Sequence, residues 1–214
     1  MRELVQASLN KEFSVQLKLV QKLLQDRGYK VKAYRNPSLP HFSRLSDEHK
    51  GEVLQALRAY AEALRDVCRY DEKVDMGQFV WRFLLRLGII PSEDLFSILQ
   101  NEHFIQIYNL SQFQIFRSLR CFERCSFTLE ELTCRSWYEL WERENLFYFA
   151  LTGLAAKIIQ IMKPTLLRLD FPYHTVREVD SECLFDFRYK IKTVSVLTRN
   201  KRTQAAVLIE DWKF

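Results

Sequence analysis

Apolar residues at Leu9, Phe13, Leu17, Val20 and Leu24 recur every three or four positions, which predicts an amphipathic helix over residues 3–27. Gly28 follows it, and Pro37 and Pro40 lack the amide donor that a continued helix needs. A second helix is predicted from Ser46 or Asp47. Its first turn is acidic, as the helix dipole favours, and Val53, Leu57, Leu64 and Val67 lie along one side. A third, more apolar helix covers residues 76–87 and stops at Gly88; Pro91 opens a short fourth that runs to Leu99.

Near residue 100 the period changes to two. Residues 103–108 and 112–116 read as strands joined by a tight turn at Asn109, Leu110 and Ser111. Thr128 with Glu131, and Ser136 with Glu139, place a hydroxyl at a helix cap and a carboxylate three residues on, marking two short helices. An apolar helix over residues 145–163 ends before Pro164. The remainder reads as strands, residues 174–180 being the weakest. Over residues 184–198, Phe185, Phe187, Tyr189 and Ile191 alternate with Asp186, Arg188, Lys190 and Lys192, so one face is wet. A phase change at Val194 and Val196 predicts a bulge or a stretch covered on both faces. Residues 199–202 supply a turn, and the continuous apolar run over 205–210 suits a central strand.

The first two helices carry matching seams. Phe13, Leu17, Val20, Leu24, Val53, Leu57 and Leu64 are candidates for a dimer interface, and the same seams suit packing within one chain equally well.

The order strand, strand, short helices, longer helix, three strands resembles the PAS fold. Three stretches carry detail: the Leu110-Ser111 turn; Cys125-Ser126-Phe127-Thr128-Leu129-Glu130-Glu131-Leu132, similar to an aromatic and hydroxyl turn before an acidic pair; and the closing Val207-Leu208-Ile209-Glu210-Asp211-Trp212. The resemblance covers about half the chain. Three positions depart from the family pattern: Ser111 replaces the hairpin glycine, Cys125-Ser126-Phe127 the usual Gly-Tyr, and Asp211-Trp212 the acidic-hydroxyl ending.

It implies an α+β chain: a helical dimerisation or regulatory segment over 1–100, and over 101–214 a five-stranded antiparallel sheet with helices on one side. It also implies a cup holding a ligand or a packed core. The pocket candidates are Ile105, Ile107, Phe122, Trp137, Leu140 and Phe147; the wider aromatic group with Trp141, Tyr148 and Phe149 lines or fills the cup. By the same resemblance the expected function is a bacterial-type, non-enzymatic signalling regulator, dimeric, acting on gene expression through DNA or a partner protein. The alternative is a sensor or adaptor holding haem or a small apolar molecule. PAS analogy puts a haem ligand on the long helix, but residues 145–163 contain no histidine, leaving His103 or His174.

Composition narrows this reading without redirecting it. Forty-eight per cent hydrophobic residues supply core material for a globular chain, and the net charge of +5 divides almost evenly between the halves. Charge is therefore informative only locally, where Arg27, Lys30, Lys32, Arg35, Arg44 and Lys50 face only Asp47 and Glu48. Lys30, Lys32 and Arg35 are the DNA or phosphate contact candidates, with a solvated loop as the plainer alternative. Residues 78–99 have helix-turn-helix spacing, but Glu93 and Asp94 stand where groove contact needs basic or amide side chains. Five cysteines without CxxC spacing argue against a disulfide framework and fit a reducing compartment. Early charges at Arg2 and Glu3 oppose a secretory leader, and Lys157 breaks the longest apolar stretch, so a cytoplasmic location is expected.

No nucleophile, base or metal-ligand pattern accompanies the scattered histidines at 41, 49, 103 and 174, and no enzyme activity or metal is expected. On a helix Cys121 and Cys125 would share a face, but buried inert thiols are the simpler reading. Glu130 and Glu131 read as first-turn residues of a helix.

Overall fold

The first seam closes on itself. In the computed structural model, which describes residues 2–32, 37–69, 74–89, 91, 93–123, 125–169, 171–179 and 186–213, α1 (Arg2–Gln25) packs along α3 (Asp47–Cys68). Phe13, Leu17, Val20, Leu24, Val53, Leu57 and Leu64 are each no more than 4% exposed within the single chain. These seven are therefore core residues. Two seams of similar spacing satisfy each other intramolecularly, which leaves no apolar stripe on them for a second copy.

The helical layer is completed by three further elements. α4 (Met76–Arg86) starts where the Asp75 carboxylate accepts the Gln78 amide at 2.7 Å, and it ends at Gly88, whose φ of 68° is the left-handed geometry that glycine tolerates. α5 (Glu93–Ile98) follows. α2 (Pro40–Arg44) is a short helix that the sequence reading takes for a break: Pro40 occupies its first turn, where a missing amide donor costs nothing. Two of its free amides, on His41 and Phe42, donate to Glu130 Oε1 at 2.9 and 3.2 Å. The Phe42 ring stacks on Phe13 with centroids 4.0 Å apart.

The second half is a curved antiparallel sheet of β1 (Phe104–Asn109), β2 (Gln114–Arg117), β3 (Trp141–Arg143), β4 (Thr165–Arg168), β5 (His174–Glu178), β6 (Asp186–Arg199) and β7 (Arg202–Lys213). The order is β2-β1-β7-β6-β5-β3, with β4 also paired to β6, so the first and last strands lie side by side. Between β2 and β3 come α6 (Leu119–Phe122), α7 (Leu129–Cys134) and α8 (Trp137–Leu140), and between β3 and β4 the longer α9 (Asn145–Ile159). Both predicted capping boxes are present, at Thr128 with Glu131 and at Ser136 with Glu139. This is the element order that the PAS resemblance implies, with seven strands in place of five. The extra strands β3 and β4 span three and four residues, too few to show alternation in the sequence.

Register assigns the side chains to two faces. Ile105, Ile107 and Phe116 share one face with Val207 and Ile209, and all five are buried. Phe116 on that face meets the helical layer directly: its ring centroid lies 4.9 Å from Phe79, 5.0 Å from Phe83 and 5.4 Å from Tyr60. The Tyr60 hydroxyl donates to the Arg117 carbonyl at 2.9 Å, tying α3 to β2. The opposite face carries Gln106, Tyr108, Tyr189, Glu210 and Trp212 and turns toward α9 and its neighbours.

β6 keeps the predicted wet edge, with Arg188 and Lys192 exposed and Phe187, Tyr189 and Ile191 buried. The register then shifts between Ile191 and Thr193, and Val194, Ser195, Val196 and Leu197 are all buried. The phase change thus marks both a bulge and a stretch covered on two sides. Asn200 and Lys201, at φ 52° and 57°, close the hairpin with the twist that adjacent strands prefer.

Candidate ligand cavity between helix α9 and the sheet

α9 is apolar around its circumference, Lys157 being its only charged residue. Leu151, Leu154, Ala155 and Ile158 on its inner side roof a cavity of about 110 Å³ whose floor is Tyr108, Tyr189, Ile191, Val194, Ala206 and Leu208. A small residue on β7 explains why this space stays open: Ala206, on the face of Tyr108 and Leu208, sits where a larger side chain would reach α9. The Thr203 hydroxyl lies 3.1 and 2.6 Å from the carbonyls of Ile158 and Ile161, anchoring the C-terminal end of the roof to β7. At the other end Phe147 stacks on His174 at 4.0 Å.

The floor continues into a buried polar network. Glu210 accepts from the Tyr189 hydroxyl at 2.6 Å, the Trp212 indole at 2.9 Å and the Gln106 amide at 3.0 Å. Gln106 in turn bonds Tyr108 and Gln114, and Gln114 accepts from Arg117 Nε at 2.8 Å. Burial disfavours the charged form of Glu210 and prevails over the Tyr189 and Trp212 hydrogen bonds and the charges of Arg143 and Arg117, so its carboxyl is raised to about 7. Tyr108 and Tyr189, desolvated in the same place and close to that carboxyl, are held well above the usual phenol range. His174 is lowered to about 4, chiefly by burial, with Arg143 acting in the same direction against the Pro172 carbonyl. Arg143 lines the cavity with its guanidinium between Trp137 and Tyr189, 5.2 and 5.1 Å from the two ring centroids.

Of the six pocket candidates, Trp137 alone lines this cavity. Ile105 and Ile107 belong to the face packed against the helical layer. Leu140 is fully buried away from the lining, and Phe147 packs beside the cavity on His174. Phe122 instead lines a space of about 30 Å³ between β2, α3 and α7. For Ile105 and Ile107 the cause lies in β1, whose apolar alternates meet the N-terminal helices while the cup receives its polar ones.

The other candidates separate as well. Lys30 is exposed, Lys32 is half-buried beside its backbone bridge to Thr128, and Arg35 lies outside the described residues. Cys121 and Cys125 do not share a helix, because α6 ends at Phe122; burial raises their thiols to about 12 and about 11 despite the nearby Arg117 guanidinium. Cys134 is raised further still by burial. Cys183 is outside the described residues. Glu131 closes its capping box as read, but Glu130 is buried and holds α2, a tertiary role that a first-turn position does not reveal.

Among the described residues no three metal-ligating side chains gather, and no helix is long and apolar enough to cross a membrane. Neither His103 nor His174 lines the cavity, and its volume is well below the roughly 300–1,000 Å³ of sites that enclose drug-sized ligands. The residues present do not fit haem.

Arg143, Glu210, Tyr108 and the inner residues of α9 were missed in the sequence. The available signal was Glu210 itself, a carboxylate within a run otherwise apolar enough for a central strand. Arg143 is hidden between Glu142 and Glu144.

No protein family and no curated protein matches the sequence. Among the solved structures that are similar are the PAS-B domain of Drosophila melanogaster Cycle with bound ethylene glycol and a tryptophan-to-alanine variant of that domain with bound glycerol. Each is 13% identical at a TM-score of 0.38, covering 51% of this chain and 98% of its own. At that identity and score the likeness carries no argument, and the architecture stands on the strand order and register of the chain itself.

Proposed function

We propose that the chain is a non-catalytic signalling module in which a small molecule held under α9 is reported, through that helix, to a second copy of the chain. One observation supports this reading above the others: α9 is apolar on both sides, roofing the cavity with one and leaving the other uncovered. Leu146, Phe149, Gly153 and Ala156 follow three-four-three spacing along the outer side, and Leu146 and Phe149 are 74% and 72% exposed. A helix that is apolar all round is ordinarily buried all round.

A second α9 suits that stripe better than other occupants do, because its profile is complementary to itself. Run antiparallel about the point between Thr152 and Gly153, Phe149 of each copy lies level with Ala156 of the other, and Leu146 with Ile159, which is 55% exposed and also borders the cavity. An added Cβ at Gly153 would meet nothing, so the helices can approach closely there. With about 200 Å² for each large apolar residue, the three bulky side chains alone expose roughly 400 Å². With the small residues between them, two copies would remove about 1,000 Å², the lower limit for a specific interface.

A change in the roof's height on ligand binding would alter the presentation of this stripe, shifting a monomer–dimer population. Control of gene expression through DNA gains no support from the placement of Lys30 and Lys32. Sedimentation velocity of the full chain and of Phe149→Glu tests the proposal. The expected result is concentration-dependent pairing of the unmodified chain and a folded monomer for the variant. A chain that stays monomeric up to about 100 μM, a concentration at which even a weak dimer with Kd near 10 μM would dominate, defeats it.

A further inference from the structure

Among the described residues that line the cavity, Arg143 is the cation. Its guanidinium carbon lies over the rings of Trp137 and Tyr189, contacts that use none of its N–H donors. The edge that carries those donors is poorly used. Nε is buried and has no partner, and the single acceptor near Nη1 is the Trp141 carbonyl at 3.5 Å. No carboxylate of the described residues pairs with it, since the Glu210 oxygens are taken by Tyr189, Trp212 and Gln106. A buried Nε–H without an acceptor is costly even on a half-buried side chain, and a planar two-oxygen anion is the acceptor that fits the guanidinium edge.

The rest of the cavity specifies the remainder of the molecule. Beyond Arg143 the lining carries no charge: Leu151, Leu154, Ile158, Ile191 and Leu208 offer dispersion contacts, with Asn109 and Gln112 as neutral polar neighbours. At about 110 Å³ the space is somewhat smaller than an apolar cavity of roughly 150 Å³ that accepts benzene. Building on the reading of this cavity as a ligand site, we infer that the molecule it takes is a small apolar carboxylic acid, its carboxylate on the Arg143 edge and its body under α9.

Titration calorimetry of the full chain with isobutyrate and with isobutanol, close in shape but uncharged and no larger than benzene, separates the carboxylate assignment from the cavity reading. The expected result is that isobutyrate binds at least about tenfold more tightly than isobutanol, the scale of one charge-assisted bidentate contact. Arg143→Met should remove that preference while changing isobutanol binding by less than about threefold, because the apolar wall is intact. Arg143→Lys keeps the charge and serves if the methionine variant does not fold; it should retain part of the preference. Equal binding of the two probes to the unmodified chain overturns the carboxylate assignment and leaves the cavity reading standing. Binding of neither at millimolar concentration overturns both.

Discussion

Glu210→Gln isolates a pH dependence that the intact chain conceals. The Glu210 carboxyl rises from 4.5 to about 7 on folding, so the folded state holds its proton where the unfolded state has lost it. Its contribution is full below pH 4.5 and disappears as pH climbs through 7. At about 1.4 kcal/mol per pH unit, that loss is on the order of 3 kcal/mol. His174 has the opposite sign. Its imidazole falls from 6.5 to about 4, so the unfolded state takes the proton first, and the contribution present above pH 6.5 is lost as pH falls through 4. That too is about 3 kcal/mol. Between pH 4.5 and 6.5 the slopes oppose, and stability should vary little on their account. Relative to the parent chain, the stability of Glu210→Gln should rise by about 3 kcal/mol from pH 4.5 to 7, the window of the lost Glu210 contribution, and that of His174→Phe should fall by a similar amount from pH 4 to 6.5. Urea unfolding followed by tryptophan fluorescence across pH 4–8 measures both, and the difference from the parent cancels every other titrating group. Profiles of variant and parent that differ by a constant offset at all pH values would refute the reasoning.

Two other substitutions test the assembly of the layers. Glu130→Ala strips two α2 amides of their acceptor and should cost about 1–3 kcal/mol in urea unfolding, whereas loss of a solvated first-turn charge costs a few tenths. Phe13→Ala should lower stability by about 3–5 kcal/mol at every protein concentration, because the ring is buried inside one chain; a folded variant with only its pairing weakened would return this seam to an interface.

The local spacing of residues was enough to place most elements. Seams at three and four residues located α1, α3 and α4, and hydroxyl–carboxylate pairs at Thr128 and Ser136 located two helix starts. A phase change near Val194 located the point where β6 becomes covered on both sides. These features are legible because each depends on backbone geometry repeating over a few residues. β3, β4 and the helix begun by Pro40, each completing no more than two repeats, left no such trace.

What the spacing could not decide was which surface each face would meet. The seams of α1 and α3 served pairing or a core equally well, and only their mutual contact settled it. In β1 the alternation separated Ile105 and Ile107 from Gln106 and Tyr108, but a sheet buried on both sides gives its apolar face to the better apolar partner. That partner is the helical layer, through Phe79, Phe83 and Tyr60. The cup was left with the polar face, and its glutamate, tyrosines and glutamines had to satisfy one another once water was excluded. Both the raised Glu210 carboxyl and the cavity beside Arg143 follow from that allocation, which depends on residues about a hundred positions apart meeting across a single sheet.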